Sequence, residues 1–356
     1  MQLNQDKLNA FLGKVVGDFG GAMSAVLVTI GDKLGLYKAM AEAGERGVTP
    51  SELAKATNTA ERYVREWLLN QAAGGYCEFR AKEGRYVLPA EQAFALADDQ
   101  SPASMVGGFM VSNSMVKDED KLLEAFRTGK GVDWGSHHHD LFHGTERFFA
   151  ANYRGNLVSS WLPALEKAVE RLQAGALVAD VGCGHGASTI LMAEAFANSQ
   201  FIGFDTHAPS VDFASRAARD EGVASRCTFE SESATAFKPP AGKKFDIVCC
   251  FDCLHDMGDP VGAARHIRSV IKPDGIWMIV EPFANDNPEE NLNPVGRVFA
   301  AASTMICVGH SLAHNGPALG AQAGEAKLRE VVTQGGFTRF RRATQTPFNL
   351  VLEARP

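Results

Sequence analysis

The run Asp180-Val181-Gly182-Cys183-Gly184-His185-Gly186 closes an apolar stretch and opens a helical one. Glycines at such a junction let a ligand approach the backbone closely, at a helix N-terminus. Read loosely, Gly182, Gly184 and Ala187 also fit the dinucleotide fingerprint. Asp180 separates the two readings, because a carboxylate ahead of the first glycine suits a cationic or hydroxyl-rich ligand and repels a pyrophosphate. Asp205 follows 25 residues later, at the end of FIGFD. A carboxylate at such a strand tip accepts both hydrogen bonds of a ribose diol; the plainer reading is a turn cap ahead of Pro209. Ser233 and Ala234 follow the next apolar stretch, where an adenine edge is read, although many sites of this kind carry Asp there.

Other clusters carry weaker signals. Trp134-Gly135-Ser136-His137-His138-His139-Asp140 and then His143 gather imidazoles in a short segment. Three consecutive histidines cannot all face one side of a regular element, so a three-histidine metal site is disfavoured and pocket lining or a surface loop expected. Cys249, Cys250 and Cys253 crowd one apolar run without a second ligand pair at zinc spacing, and read as buried thiols.

The elements that must position these residues change character along the chain. The first hundred residues are helical: 25–40 places Val26, Ile30, Leu34 and Tyr37 on one stripe, and Thr49-Pro50-Ser51-Glu52 is a helix start. A helix over 60–73 has Tyr63, Trp67 and Leu68 on one face, and 77–88 reads as strand, turn, strand. Helix–turn–helix followed by a hairpin is a winged-helix outline. Within 49–92, six basic residues are offset by six acids, which gives little affinity for a phosphate backbone and favours packing or dimerisation over DNA binding.

From 176 onward, strands are expected over 176–181, 201–205, 227–232, 245–252, 276–281, 337–342 and 348–354, with helices between them such as 188–197, 210–221, 260–271 and 325–335. Strands alternating with helices give an α/β fold with a doubly wound, mostly parallel sheet. The last two strands are too close for a parallel crossover and form an antiparallel hairpin. The boundaries expected are a winged-helix domain over 1–97, a helical connector over 98–175 and a ligand-binding sheet domain over 176–356.

DVGCGHG, FIGFD, FDIVCCFDCLHDM and IKPDGIWMIVEP, in that order and spacing, resemble a class I S-adenosylmethionine-dependent methyltransferase over 176–356. With the winged-helix half in front, the chain is similar to two-domain bacterial methyltransferases and plant-type small-molecule O-methyltransferases. The resemblance implies that Asp180, Gly182, Gly184 and Gly186 hold the methionine end of the cofactor, that Asp205 takes the ribose hydroxyls, and that Ser233 and Ala234 face the adenine. It sets Phe251 and Asp252 beside the methionyl tail. His255 matches the general-base histidine of the plant-type enzymes, with Glu281 as a candidate orienting carboxylate. A histidine of ordinary pKa about 6.5 can deprotonate a hydroxyl near neutral pH, and positioning supplies most of the remaining catalysis. The family's N-terminal domain mainly dimerises and helps close the substrate pocket, so a homodimer and a small-molecule acceptor are implied. His137, His143, Met305, His310, His314 and Asn315 are candidate pocket residues, and the charge-free segment 298–324 suits a flat or apolar acceptor.

Composition is consistent with this. The 356 residues are 45% hydrophobic and 22% charged, with a net charge of −7, enough for two cored domains and without a basic excess for nucleic acid. Seven cysteines in so long a chain read as reduced thiols. The start, 1–7, is polar and lacks a leader pattern, and the uncharged run 19–31 is only 13 residues long, so a cytoplasmic protein without a membrane span is expected. A ligand-sensing winged-helix regulator and an NAD-dependent enzyme are the competing functions; Asp180 and the C-terminal hairpin weigh against the latter.

Overall fold

The computed structural model describes residues 3–356; Met1 and Gln2, part of the polar start, lie outside them. The chain divides into two compact units, one running to Val116 and including His143–Ala151, the other made of Lys117–Phe142 and Asn152–Pro356. The stretch 98–175, expected as one connector, is therefore shared between them.

In the first unit, α1 (Gln5–Lys33) stops at Gly35, whose φ of 70° starts a new direction for α2 (Leu36–Ala43). The expected stripe does not hold across this break: Tyr37 is buried, but Val26, Ile30 and Leu34 are exposed, and Ala25, Val28 and Thr29 face inward on α1 instead. Thr49 caps α3 (Pro50–Ala56) in a reciprocal capping box with Glu52. In α4 (Glu61–Ala73), Val64, Trp67, Leu68 and Gln71 are buried, whereas Tyr63, expected on that face, is 82% exposed. The hairpin β1 (Glu78–Arg80) and β2 (Arg85–Val87) completes the wing. Arg62 and Arg65 pair with Glu66 and Glu61 on the same helix, and Arg80 and Arg85 with Glu45 and Glu52, so four of the six basic side chains of this motif are paired with acids. The segment His143–Ala151 joins this unit for a physical reason. Arg147 grips Asp32 at 2.7 and 3.0 Å and Asp99 at 2.7 Å, and a Cβ on Gly107 would lie 2.3 Å from the Phe148 nitrogen.

The second unit is built on seven strands: β3 (Leu177–Val181), β4 (Gln200–Asp205), β5 (Cys227–Ser231), β6 (Phe245–Phe251), β7 (Ile271–Pro282), β8 (Arg339–Gln345) and β9 (Asn349–Arg355). Their spatial order is β5-β4-β3-β6-β7-β9-β8. The first five are parallel, and β9 runs antiparallel to both β7 and β8, the hairpin expected from the short connection. Most positions of β3, β4, β6 and β7 are apolar and buried, as a sheet covered on both faces requires, whereas the edge strand β5 is largely exposed. Phe204, Phe237, Phe245 and Trp277 anchor one buried layer. Strand order reverses at β3, so the crevice beyond the carboxyl ends of β3 and β6 is where such a sheet takes a ligand.

Among the described residues, two helical segments are long and apolar enough to cross a membrane, Gln5–Lys33 and Pro294–Ala313. The uncharged run of 13 residues understated the first, because its apolar positions continue back through Val16 and Phe11 past the paired Lys14 and Asp18. The apolar window of Pro294–Ala313 is 39% buried, against 6% for α1.

Candidate active site

The ends of the parallel strands gather most of the residues singled out above. Asp180 is fully buried near the end of β3, and its Oδ2 accepts from Ser188 Oγ at 2.7 Å and Thr189 Oγ1 at 2.6 Å. Its Oδ1 is buried with no hydrogen-bond partner. A buried carboxylate oxygen left bare is costly unless a ligand donor meets it. Burial, opposed by the two hydroxyls, pushes its pKa up to about 6.

The glycine loop is shaped by close approach on one side and space on the other. Gly182 has φ 77°, and a Cβ there would lie 2.7 Å from Cys253 Sγ; Gly184 has φ 52°, with open space where its Cβ would be. Gly184 N–H donates to Asp205 Oδ2 at 2.9 Å, and His207 N–H donates to Oδ1 at 2.8 Å. Asp205 thus caps its own turn and braces the glycine loop, and each oxygen keeps a lone pair for a further donor. A Cβ on Gly186 would strike Phe229 at 2.7 Å, so this glycine serves strand–helix packing. Ser233 and Ala234 are half-buried just past β5, with Ser233 Oγ 3.2 Å from Thr235 Oγ1.

Beyond β6, Phe251 is buried against Tyr153, their ring centroids 5.3 Å apart. Asp252 adopts φ 52°, a costly conformation for a residue with a side chain and one that clusters at functional sites. It is held by Asn349 Nδ2, which donates to Oδ1 at 3.2 Å, and by a long 3.5 Å contact from the Tyr153 hydroxyl. Asn152 Nδ2 in turn donates to Asn349 Oδ1 at 2.5 Å. Burial, reinforced by Glu281, raises the Asp252 pKa well above the usual carboxylate range. None of Asn152, Tyr153 and Asn349 was legible as a site residue, since only the β7–β9 pairing, with Pro282 opposite Asn349, brings the last strand beside this turn.

His255 lies on the one-turn helix Leu254–Asp256 and is 3% exposed. Its Nδ1 is in a very short contact with Glu281 Oε2, and Glu281 Oε1 accepts the Leu254 N–H at 2.9 Å. The carboxylate therefore fixes both the imidazole and the backbone that carries it. Burial opposes charge on His255, but Glu281 and the adjacent Cys307 thiol outweigh it, and its pKa stands well above the ordinary value. Asp256 alongside is pushed up to about 7, chiefly by burial. Cys253 Sγ, 3.1 Å from the Val181 carbonyl oxygen, ties this turn to the glycine loop.

The expected acceptor residues are less gathered. His137 is buried, its Nδ1 2.9 Å from Asp118 Oδ2, which also accepts the His138 N–H at 2.9 Å and a Lys121 Nζ–H through Oδ1 at 2.6 Å. Met305 lies in the π-helical turn Ser303–Cys307, His310 lies on the next helix, Val308–Ala313, and His314 is the residue that caps it. His143 is exposed and packs with the first unit. Asn315 is exposed at φ 57°, closing that helix as a turn residue.

Residues 172–335 match the model of a methyltransferase domain, and residues 22–98 match that of an Rv2258c-like winged HTH domain. The chain carries a methyltransferase domain behind a winged helix-turn-helix domain. The chain is 32% identical over 107 residues to a ubiquinone biosynthesis O-methyltransferase of Actinobacillus pleuropneumoniae, a stretch that is 29% of this chain and 44% of that protein. The chain spans about half the length of the curated relatives it matches. Over nearly the whole chain the fold is that of human N-acetylserotonin methyltransferase, solved with S-adenosylmethionine (TM-score 0.70, 17% identity, 100% of this chain and 99% of that one). An O-methyltransferase family protein from Burkholderia thailandensis is similar to the same extent (TM-score 0.69, 17% identity, 99% of each chain).

Proposed function

We propose that this protein is an S-adenosylmethionine-dependent methyltransferase that methylates a hydroxyl of a small-molecule acceptor, with His255 as general base and Glu281 as its orienting carboxylate. The observation that carries this reading is the buried His255–Glu281 pair on a turn tied to the glycine loop. When bound, the cofactor supplies an electrophilic methyl group on a sulfonium.

The residues at the strand ends fit that cofactor. The bare Oδ1 of Asp180 suits an ammonium donor, the open face of Gly184 admits a ligand against the backbone, and the spare lone pairs of Asp205 suit vicinal hydroxyls. Phe251 and Asp252 continue this wall, and Ser233 and Ala234 supply its far end. With Glu281 accepting from Nδ1–H, the lone pair of His255 is on Nε2, where it takes the proton of an acceptor hydroxyl as that oxygen becomes nucleophilic. His137, Met305, His310 and His314 are the acceptor-side residues in this account. A homodimer through the first unit is part of the reading, supported by the exposed Phe11, Val16, Phe19 and Met23 on α1. Seven unpaired cysteines support a reducing, cytoplasmic setting.

The test is methyl transfer from labelled S-adenosylmethionine to a panel of phenols by wild type and His255→Ala. Loss of the base should cost about 10²–10⁴-fold in rate. Equal rates for the two proteins would remove His255 from the chemistry.

A further inference from the structure

Away from the His255–Glu281 pair, the second unit brings two imidazoles and a carboxylate together from distant parts of the chain. His310 and His314 are four residues apart at the end of the helical run Pro294–Ala313, so they share a face. Their ring centroids are 4.7 Å apart. Asp133 comes from the segment before the Trp134–Ser136 turn, with Oδ1 2.7 Å from His314 Nε2 and 3.5 Å from His310 Nδ1. One donor atom from each of the three lies within 4.8 Å of the other two.

The carboxylate is delivered by ordered backbone. Val132 N–H donates to the Gly309 carbonyl at 2.9 Å, and a Cβ on Gly131 would lie 2.1 Å from that same oxygen. Asp133 Oδ2 accepts the Gly135 N–H at 3.0 Å, which fixes the carboxylate and leaves Oδ1 facing the imidazoles. His310 Nδ1 accepts the Trp134 N–H at 3.1 Å, so its ring is oriented as well.

We propose that Asp133, His310 and His314 form a binding site for a divalent transition-metal cation of the Zn²⁺ class. Nitrogen and oxygen ligands at about 2.0–2.1 Å in a tetrahedron stand about 3.3–3.4 Å from one another. The Asp133–His310 separation already matches, and the Asp133–His314 pair needs to open by roughly half an ångström from its hydrogen-bonded distance. His310 ligates through Nδ1, the atom already 3.5 Å from Asp133 Oδ1, and its lone pair turns from the Trp134 N–H to the cation on binding. Three protein donors leave a fourth position open to water or an oxygen ligand.

The site also adjoins the turn that carries the candidate base. Ser311 Oγ donates to the Met257 carbonyl at 3.0 Å, and a Cβ on Gly258 would lie 2.5 Å from His314 Cβ. A cation here would pin the Asp133 segment and the helix end beside that turn. His138, His139 and Asp140 form a second group from consecutive residues, and they serve as the control.

The experiment uses the full chain after chelation and dialysis, titrated with Zn²⁺ by calorimetry and with Co²⁺ by visible absorption. One cation per chain, a Co²⁺ d–d band and a raised Tm are expected. His314→Ala and Asp133→Ala should weaken binding by more than about 100-fold, since outer-shell changes alone cost 10–100-fold, and His139→Ala should leave it unchanged. A wild-type protein with no band, no heat and no Tm change overturns the proposal whatever the variants do. Variants that bind as wild type also overturn it and leave three residues joined only by hydrogen bonds. Binding of S-adenosylhomocysteine, measured in the same samples, reports separately on the methyltransferase reading.

Discussion

Glu281 holds His255 from two directions, one carboxylate oxygen on the imidazole Nδ1 and the other on the N–H of Leu254. Glu281 sits on β7 and His255 just beyond β6, so two adjacent parallel strands set the geometry of the pair. An imidazole held this way is a stronger base than a free one, but it must first lose its own proton. Methyl transfer should therefore rise with pH through a value above the ordinary histidine pKa of about 6.5. Glu281→Gln removes the charge that raises this pKa. Its rate profile should shift to lower pH and its maximum should fall, and profiles for the two proteins check this.

Asp180 gives a prediction in which stability and binding move in opposite directions. Its folded-state pKa is raised to about 6, so burying its charge costs stability above that pH and nothing below the unfolded value. Asp180→Asn keeps an acceptor for Ser188 and Thr189 and removes the charge. At pH 8 the variant should be more stable by on the order of 2–3 kcal/mol, the free energy of holding a carboxyl group protonated up to about pH 6 when it ordinarily ionises near pH 4. Denaturant melts at pH 8 measure it; a loss of stability would contradict the account of the site.

Asp205→Ala should behave differently, because both carboxylate oxygens already serve the backbone. Truncation leaves the Gly184 and His207 N–H groups without their partner. A loss of about 1–3 kcal/mol is expected, seen as a lower Tm in the apoprotein. Together with Asp180→Asn, it separates an acid that braces the loop from one that waits for a ligand.

Most of the sheet was legible because β3, β4, β6 and β7 are apolar runs with glycine or acid at or just past their ends, a pattern that follows directly from burial on both faces. Asp180, Asp205, His255 and Glu281 could be named for the same reason, since each lies at or just after such an end. The first unit was harder. The stripe through Val26, Ile30 and Leu34 assumed one continuous helix, and the positive φ of Gly35 ended it. Tyr63 has the right spacing for the buried face of α4, but Val64 takes the inward position. Asn349 and Asn152 have no local signature, because their role depends on which strand β9 pairs with, and Asp118 acquires its meaning only from the fold that buries His137 against it.

The network behind Asp252 is open to a direct test. Asn349→Ala breaks both the link to Asp252 and the link to Asn152 in a buried setting. It should cost about 1–3 kcal/mol by denaturant unfolding. It should also weaken cofactor affinity, since the unusual backbone of Asp252 would lose its restraint. An unchanged midpoint would mean that Asp252 is held by the main chain alone.

Stability should also fall as the solution is made alkaline. The Asp256 pKa is raised to about 7 and that of His255 well above its ordinary value. For the acid, the cost of burial accumulates from the ordinary carboxylate pKa up to the folded value of about 7 and is nearly complete there. For the histidine, the stabilisation present below its unfolded pKa is lost as pH rises through the raised one. His138 and His310, whose pKa values are lowered, have finished titrating by about pH 7 and do not oppose the trend above it. Thermal melts from about pH 7 to 8.5 should give a falling Tm, carried mainly by His255, with a shallower slope for Glu281→Gln.

The most direct test of the central claim is calorimetric titration of S-adenosylhomocysteine into folded wild type and Asp180→Asn. The account predicts micromolar binding by wild type and a loss of at least about tenfold in the variant, since one charge-assisted contact is worth about 1.5–3 kcal/mol. No binding by a folded wild-type protein would contradict the cofactor assignment and with it the proposed methyl transfer.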